Sequence, residues 1–265
     1  MRHSSDPYYS AKEAREKLGL SKAQFHKWVR QGLIPRVVLP GMKQGVYPRR
    51  DIDALVLSMS SRDEAVFSSS SLADLMEELN IVHKSFLPAF SLAERIALQQ
   101  KNRLTFYSLK VHGAVVGCIA MFRLPEDLLD DLLMGRKIST EITPMYVVPF
   151  VRLEPFSIYI DIIAVNPDLS RHLQRLYAGM IIYRFIDLLY HLRENNYQIN
   201  ALYAIARTPA GERLLKKLGF RQMQGKSLVV DRPAYQYLLD AQGLERLRGL
   251  QEEYNRHLIA PFQQR

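Results

Sequence analysis

Between Ser58 and Ser71 runs SMSSRDEAVFSSSS, a serine-rich stretch without helical periodicity and with the composition of a flexible connection. It separates two parts of unlike electrostatic character. Residues 1–60 carry eleven Lys and Arg against five Asp and Glu, which is +6 of the formal +9 of the 265-residue chain; the remainder holds 25 bases against 22 acids. A small basic module on a nearly neutral body points to a polyanion as the partner of that module alone. With 48% apolar and 10% aromatic residues the chain has ample material for a packed core and lacks the signature of disorder. The longest apolar run, Ala114 to Phe122, falls far short of the roughly 20 residues that span a bilayer, so no membrane partner is expected. The polar start, Met1 to Pro7, is unlike a secretory signal, and a lone Cys118 makes no internal disulfide. A cytoplasmic setting is expected.

In the first part, Ser10 is placed to cap a helix over Ala11 to Leu18 that Gly19 breaks. Ser21 opens a second helix. Its apolar Phe25, Trp28 and Val29 share one face, leaving Lys22, Gln24, His26, Lys27 and Arg30 to solvent, and Gly32 stands at its end. Two short extended runs, Arg36 to Leu39 and Gly45 to Tyr47, flank Pro40-Gly41 and predict a hairpin, after which Asp51 caps a helix from Ile52.

The ordered motifs Tyr9-Ser10-x-x-Glu13-Ala14, Leu18-Gly19-Leu20-Ser21, Trp28-x-Arg30-x-Gly32-Leu33-Ile34-Pro35 and Tyr47-x-x-x-Asp51-Ile52-Asp53 resemble the MerR/excisionase-type winged helix-turn-helix over about residues 8 to 57. The resemblance implies double-stranded DNA as partner. The second helix would read bases with Gln24, His26 and Lys27, while Lys22, Arg30, Arg36, Lys43, Tyr47, Arg49 and Arg50 would contact phosphates or form the wing. That family usually carries an Arg two residues before the Tyr; here the position is Gly45, with Lys43 a candidate substitute.

The second part reads as mixed α and β. Helical patterns at Ser71 to His83 and Ser91 to Lys101 precede a hairpin, Leu104 to Val111 and Ala114 to Phe122, turning at His112-Gly113. An acidic helix follows from Pro125 to Met134. Extended segments are predicted at Met145 to Leu153, Ser157 to Val165, Ala201 to Ala206, Leu228 to Val230 and Tyr235 to Leu239, with a long helix from Pro167 to about Arg193 and another from Pro209 to Gly219.

Two segments are distinctive, Ile160-Asp161-Ile162-Ile163-Ala164-Val165-Asn166-Pro167 and Thr208-Pro209-x-Gly211-x-x-Leu214-Leu215-x-Lys217-Leu218-Gly219-Phe220. Together they resemble the GNAT acyltransferase fold over about residues 72 to 240. The resemblance implies acetyl-CoA or another acyl-CoA as cofactor, its pyrophosphate held by backbone N–H groups where a strand end meets a helix start. Val165, Ser170, Arg171, His172, Arg175 and Gly179 are the cofactor candidates. The family's glycine box is degraded, with Leu173 and Arg175 where glycines belong. Leu215 replaces the general-acid Tyr expected four residues before Gly219. Strand alternation puts Tyr159, Asp161, Ile163 and Val165 on one face, where Tyr159 takes the place of a Glu base in some members and Asp161 is the best carboxylate. Tyr203 and Glu154 have no spacing argument.

The seven histidines form no cluster at metal-ligand spacing, and no Gly-x-Ser-x-Gly, P-loop or Gly-x-Gly-x-x-Gly occurs. At the end of the chain Leu244, Leu247, Leu250, Tyr254 and Leu258 make an apolar stripe that docks either on its own domain or on a second subunit of a homodimer. The expected fold is thus α+β or mixed: a winged helix-turn-helix at 1–57, a linker at 58–71, a GNAT-like α/β domain at 72–240 and an amphipathic helix at 241–265. Three functions fit it: a DNA-binding regulator that binds or senses acyl-CoA, an active N-acyltransferase tethered to DNA, or a DNA-binding adaptor with an assembly domain.

Overall fold

The computed structural model describes residues 7–42, 44–60, 65–85, 89–224 and 232–256. Lys43, Leu258 and the strand predicted at Leu228 to Val230 lie outside the described residues. In the first module Ser10 caps α1 (Ala11–Leu18) reciprocally with Glu13: the Ser10 hydroxyl accepts the Glu13 N–H at 3.3 Å, and the Ser10 N–H donates to Glu13 Oε2 at 2.8 Å. Gly19 ends the helix in the left-handed region, φ 62°, and Ser21 caps α2 (Lys22–Arg30). Ala14, Leu18, Phe25, Trp28, Ile34, Ile52 and Leu55 close over each other as the core.

The wing differs from the predicted hairpin. A short strand before α1, β1 (Tyr8–Tyr9), pairs antiparallel with β2 (Tyr47–Pro48), and among the described residues the two arms of the wing share a single bridge, Val37 with Val46, at 2.9 and 2.8 Å. Tyr47 is drawn into the core, its ring edge-on to Phe25 at 5.1 Å, which takes it away from the other arm. The next helix, α3 (Arg49–Ser60), starts three residues earlier than expected, with Asp51 in its first turn rather than at its cap. Pro48 ends the ladder, and the Arg49 N–H is taken by the Pro7 carbonyl at 3.0 Å. The serine-rich stretch also shrinks as a connection. Residues 58–60 complete α3, and β3 (Val66–Ser69) joins the main sheet as an edge strand, with Phe67 stacked on Tyr107 at 5.3 Å.

Beyond β3 come α4 (Leu72–Ser85), α5 (Leu92–Lys101), β4 (Phe106–Val111), β5 (Ala114–Phe122), α6 (Glu126–Leu133), β6 (Pro155–Val165), α7 (Arg171–Glu194), β7 (Gln198–Ile205), α8 (Pro209–Lys217), β8 (Arg221–Gln222), β9 (Ala234–Leu238) and α9 (Ala241–Tyr254). Met145 to Leu153, predicted as extended, contributes only a bridge from Val148 to Arg123. The seven-stranded sheet runs β3-β4-β5-β6-β7-β9-β8, and β6–β7 is its one parallel pair among the described residues. Along β5 the side chains alternate: Ile119 and Met121 face the layer of α7, while Cys118, Ala120 and Phe122 face α4. Apolar burial on both faces makes this the centre of the domain.

Helix α9 lies on α7. Leu247 and Tyr254 are buried, Leu244 and Leu250 pack beside them, and the Tyr190 hydroxyl donates to the Leu244 carbonyl. Of the two dockings open to the apolar stripe, its own domain is the one the structure adopts. No helix of the described residues is long and apolar enough to cross a membrane. Replacing Leu247 by Ala is expected to cost about 2–5 kcal/mol by leaving a cavity on α7. A lowered urea midpoint with unchanged mass by light scattering is the predicted outcome; a change to half the mass would instead assign the stripe to a dimer contact.

Candidate functional site

Strands β6 and β7 pair only as far as Ile160 opposite Ala204, although β6 continues to Val165. On its other edge β6 keeps pairing with β5 to Val165, but the register slips by one so that Asp161 has no partner. This is a β-bulge. Beyond it the two parallel strands separate, and a cleft of about 720 Å³ opens between Ile160 to Val165, the end of β7 through Thr208, the first turns of α7 and the start of α8. Arg171, Arg175, Arg207 and Arg213 line the cleft with, among the described residues, one carboxylate, Asp161. Apolar strand walls and an excess of guanidinium suit an elongated ligand with an anionic end.

The bulge also breaks the face predicted for Tyr159, Asp161, Ile163 and Val165. Before it, Ile158 and Ile160 face the α7 layer and Tyr159 faces α4; after it, Ile162 and Ala164 face α4, and Ile163 and Val165 face α7. Tyr159 is therefore buried toward the α4 layer, with its hydroxyl beside Arg207 and Asp161. Burial, and secondly the Asp161 charge, push its hydroxyl well above the ordinary tyrosine range. Asp161 does reach the cleft, yet Arg207 Nη2 donates to its Oδ1 at 2.6 Å and also binds the Ser139 hydroxyl. Burial opposes the Arg207 charge, but the Asp161 carboxylate and the Tyr159 hydroxyl together outweigh it and the guanidinium is held charged. Sequence reasoning missed Arg207, Arg213 and Ser139. Arg207 was locatable, since it stands between a predicted strand and the Thr208 cap of α8.

Of the cofactor candidates, Val165, Arg171 and Arg175 line the cleft, as do Gln174 and Ala178, neither of which was singled out. Ser170 instead caps α7, its hydroxyl accepting the Leu173 N–H at 3.4 Å. Gly179 is buried inside α7, past the cleft lining. His172 turns away from the cleft and packs on the first module, Nδ1 lying 3.3 Å from the Gly32 carbonyl. Glu154 pairs with Arg123 at 2.8 Å, and the Tyr203 hydroxyl accepts from Gln236 at 2.8 Å.

On the first module Lys22, His26, Lys27 and Arg30 are exposed along α2, and Gln24 is half-buried with its side-chain oxygen accepting from the Ser21 hydroxyl at 3.1 Å. Arg50 and Arg36 are exposed as well. A Cβ at Gly45 would lie 2.0 Å from Arg36 Nε, so the Arg36 side chain crosses the place that an arginine at 45 would need. The wing keeps a guanidinium by supplying it from the opposite arm. Two of the predicted contacts are turned inward: Tyr47 is a core residue, and Arg49 stacks 4.5 Å over the Tyr9 ring. No group of His, Cys, Asp and Glu among the described residues could hold a metal ion.

Residues 8–60 match the family model described as a helix-turn-helix domain. No curated protein matches the chain. Among solved structures the chain is similar to Ard1 from Thermoplasma volcanium, with 16% identity, a TM-score of 0.44, and coverage of 66% of this chain and 98% of that one. It is similar to the loading GNATL domain of CurA from Lyngbya majuscula (10% identity, TM-score 0.48, 66% and 97% covered). A third likeness is to the ribosomal-protein-S18-alanine N-acetyltransferase from Escherichia coli (17% identity, TM-score 0.42, 65% and 90% covered). Identities and TM-scores of this size carry no function across to this chain.

Desolvation holds His172 neutral, its pKa below the ordinary histidine value; the Gly32 carbonyl and Asp51 pull the other way, and Arg175 adds to the depression. The unfolded chain takes up this proton near pH ~6.5, whereas the folded one resists it. Stability contributed at neutral pH is therefore lost as pH falls through and below that value. Urea midpoints of wild type should fall from pH 7 to pH 5 more steeply than those of His172→Asn; parallel slopes would show that the ring does not titrate as a buried group.

Proposed function

We propose that the chain is a DNA-binding regulator of the MerR/excisionase type whose second, GNAT-like domain binds acyl-CoA with slow or absent acyl transfer. One observation supports the cofactor: the cleft at the parting of β6 and β7, with Arg171, Arg175 and Arg213 around it and the Asp161 carboxylate already engaged by Arg207. Its volume suits a cofactor-sized ligand, and its cations suit a phosphorylated one. Arg171, Arg175 and Arg213 would hold the phosphates, beside the N-terminus of α7. Bound acyl-CoA would supply an activated thioester. Asp161, tied to Arg207, cannot take a proton from an amine without giving up that ion pair, and Leu215 offers no proton to a departing thiolate. These residues favour holding the ligand over turning it over.

For DNA, the exposed Lys22, His26, Lys27 and Arg30 of α2 with Arg36 and Arg50 supply the electrostatic footprint. A homodimer in the cytoplasm would bring two such helices to two half-sites. Duplex binding should weaken steeply with salt. Neutralising Arg30 and Arg50 should weaken binding to all sequences alike and flatten the salt slope, while substitutions at Lys27 shift sequence preference. Salt-independent affinity would refute the module's role.

A second reading, a working acyltransferase, is favoured by one fact, that Asp161 lines the cleft. Release of free CoA thiol from acetyl-CoA across a panel of amines separates the two. Asp161→Asn is the variant to use, because Asp161→Ala would leave the Arg207 charge buried without a partner. The expected result is slow release that Asp161→Asn leaves within about tenfold; rapid release that falls by about 10²–10⁴ in the variant would establish Asp161 as a base.

A further inference from the structure

The first two turns of α7 have two working faces. Arg171, Gln174, Arg175 and Ala178, spaced as one helical stripe, line the cleft. One residue round the helix, about 100° away, His172 points into the helix-turn-helix module and meets the carbonyl of Gly32. Gly32 is the residue that terminates α2: its φ of 70° is left-handed, its N–H is bonded to Val29 O at 3.1 Å, and the following Leu33 N–H to Trp28 O at 2.9 Å. The helix that carries the exposed basic residues is thus tied at its end to the helix that lines the cleft. A second element of the module, α3, also packs on α7, and its Asp51 acts on the same imidazole. The apolar core is shared across this joint, since Phe25, Trp28 and Ile52 belong to the same buried cluster as Leu173, Leu176 and Ile181.

The joint is imperfect at one atom. With the Gly32 oxygen as acceptor, the imidazole carries its proton on Nδ1, which leaves Nε2 a bare acceptor. That Nε2 is buried and has no hydrogen-bond partner among the described residues. A buried polar atom left unsatisfied lowers the stability of the arrangement that contains it and narrows the gap to any alternative. A ligand that engages Arg171 and Arg175 bears on the same two turns of helix that carry His172.

We propose that His172 is the positioning residue through which an anionic ligand in the cleft alters the presentation of α2 to DNA. The proposal rests on the reading of the cleft as an acyl-CoA site and adds the route of coupling. His172 touches neither ligand. It acts through Gly32, and because the two binding events are linked, each must change the other's affinity by the same factor.

The test uses the full chain, acetyl-CoA, and a mixed-sequence DNA duplex at fixed salt, with affinity for each ligand measured alone and with the other saturating. Wild type is expected to show a coupling factor of about 5 to 150 in both directions. His172→Phe fills the joint without a hydrogen bond and should bring the factor to about one while each ligand still binds alone. His172→Asn, which can still donate to Gly32, should keep part of it. A factor of one in wild type, or an undiminished factor in His172→Phe, overturns the proposal. Failure of wild type to bind acetyl-CoA overturns the reading of the cleft first, and this proposal with it. Should His172→Phe not fold, amide exchange in wild type decides: altered protection at Gly32 and Leu33 on adding acetyl-CoA supports the route, and unchanged protection overturns it.

Discussion

The unpaired residue Asp161 in the middle of β6 sets the geometry of the second domain. A strand buried on both faces and continuing past its parallel neighbour would ordinarily leave a row of backbone groups without partners. The slip at Asp161 lets β6 stay bonded to β5 while it parts from β7, so the opening lies inside the domain rather than at its rim. The same residue then anchors Arg207, and with it the end of β7 and the turn into α8. The cleft, its charge and its engaged carboxylate all follow from that local departure from pairing.

Local chemistry was legible in the sequence where one residue decides one event. Ser10, Ser21 and Ser91 cap the helices they were expected to cap or begin, Pro209 begins α8 as expected, and Gly19, Gly32 and Gly219 adopt the positive φ that ends them. The His112-Gly113 turn likewise places both residues at positive φ. What was not legible depended on distant parts of the chain. Tyr47 looked like a wing residue until Phe25 claimed its ring, and the serine-rich stretch hid an edge strand that exists only because β4 offers it a ladder. The expected common face of Tyr159 and Asp161 assumed unbroken alternation, and a bulge has no signature in a run of isoleucines. His172 was read for its charge beside a helix start, whereas a one-residue rotation round α7 sends it to the other module.

The two modules meet through that helix start. The basic face of α2 remains open to solvent while the opposite face and the terminating glycine are used in the joint, so contact between modules does not consume the surface suited to DNA. Cations in the cleft and cations on α2 form two separate basic sites, and α7 lies between them. This arrangement gives the charge asymmetry of the sequence a structural meaning: the near-neutral body still concentrates four arginines at one opening.

The claim on which the rest stands is that this opening holds acyl-CoA. Titration calorimetry of acetyl-CoA into wild type and into Ala178→Trp, whose added ring would fill the cleft beside Gln174 and Arg175, tests it most directly. One-to-one binding that weakens with salt and is lost in Ala178→Trp is the predicted result; no binding to wild type, or equal binding to both, would contradict it.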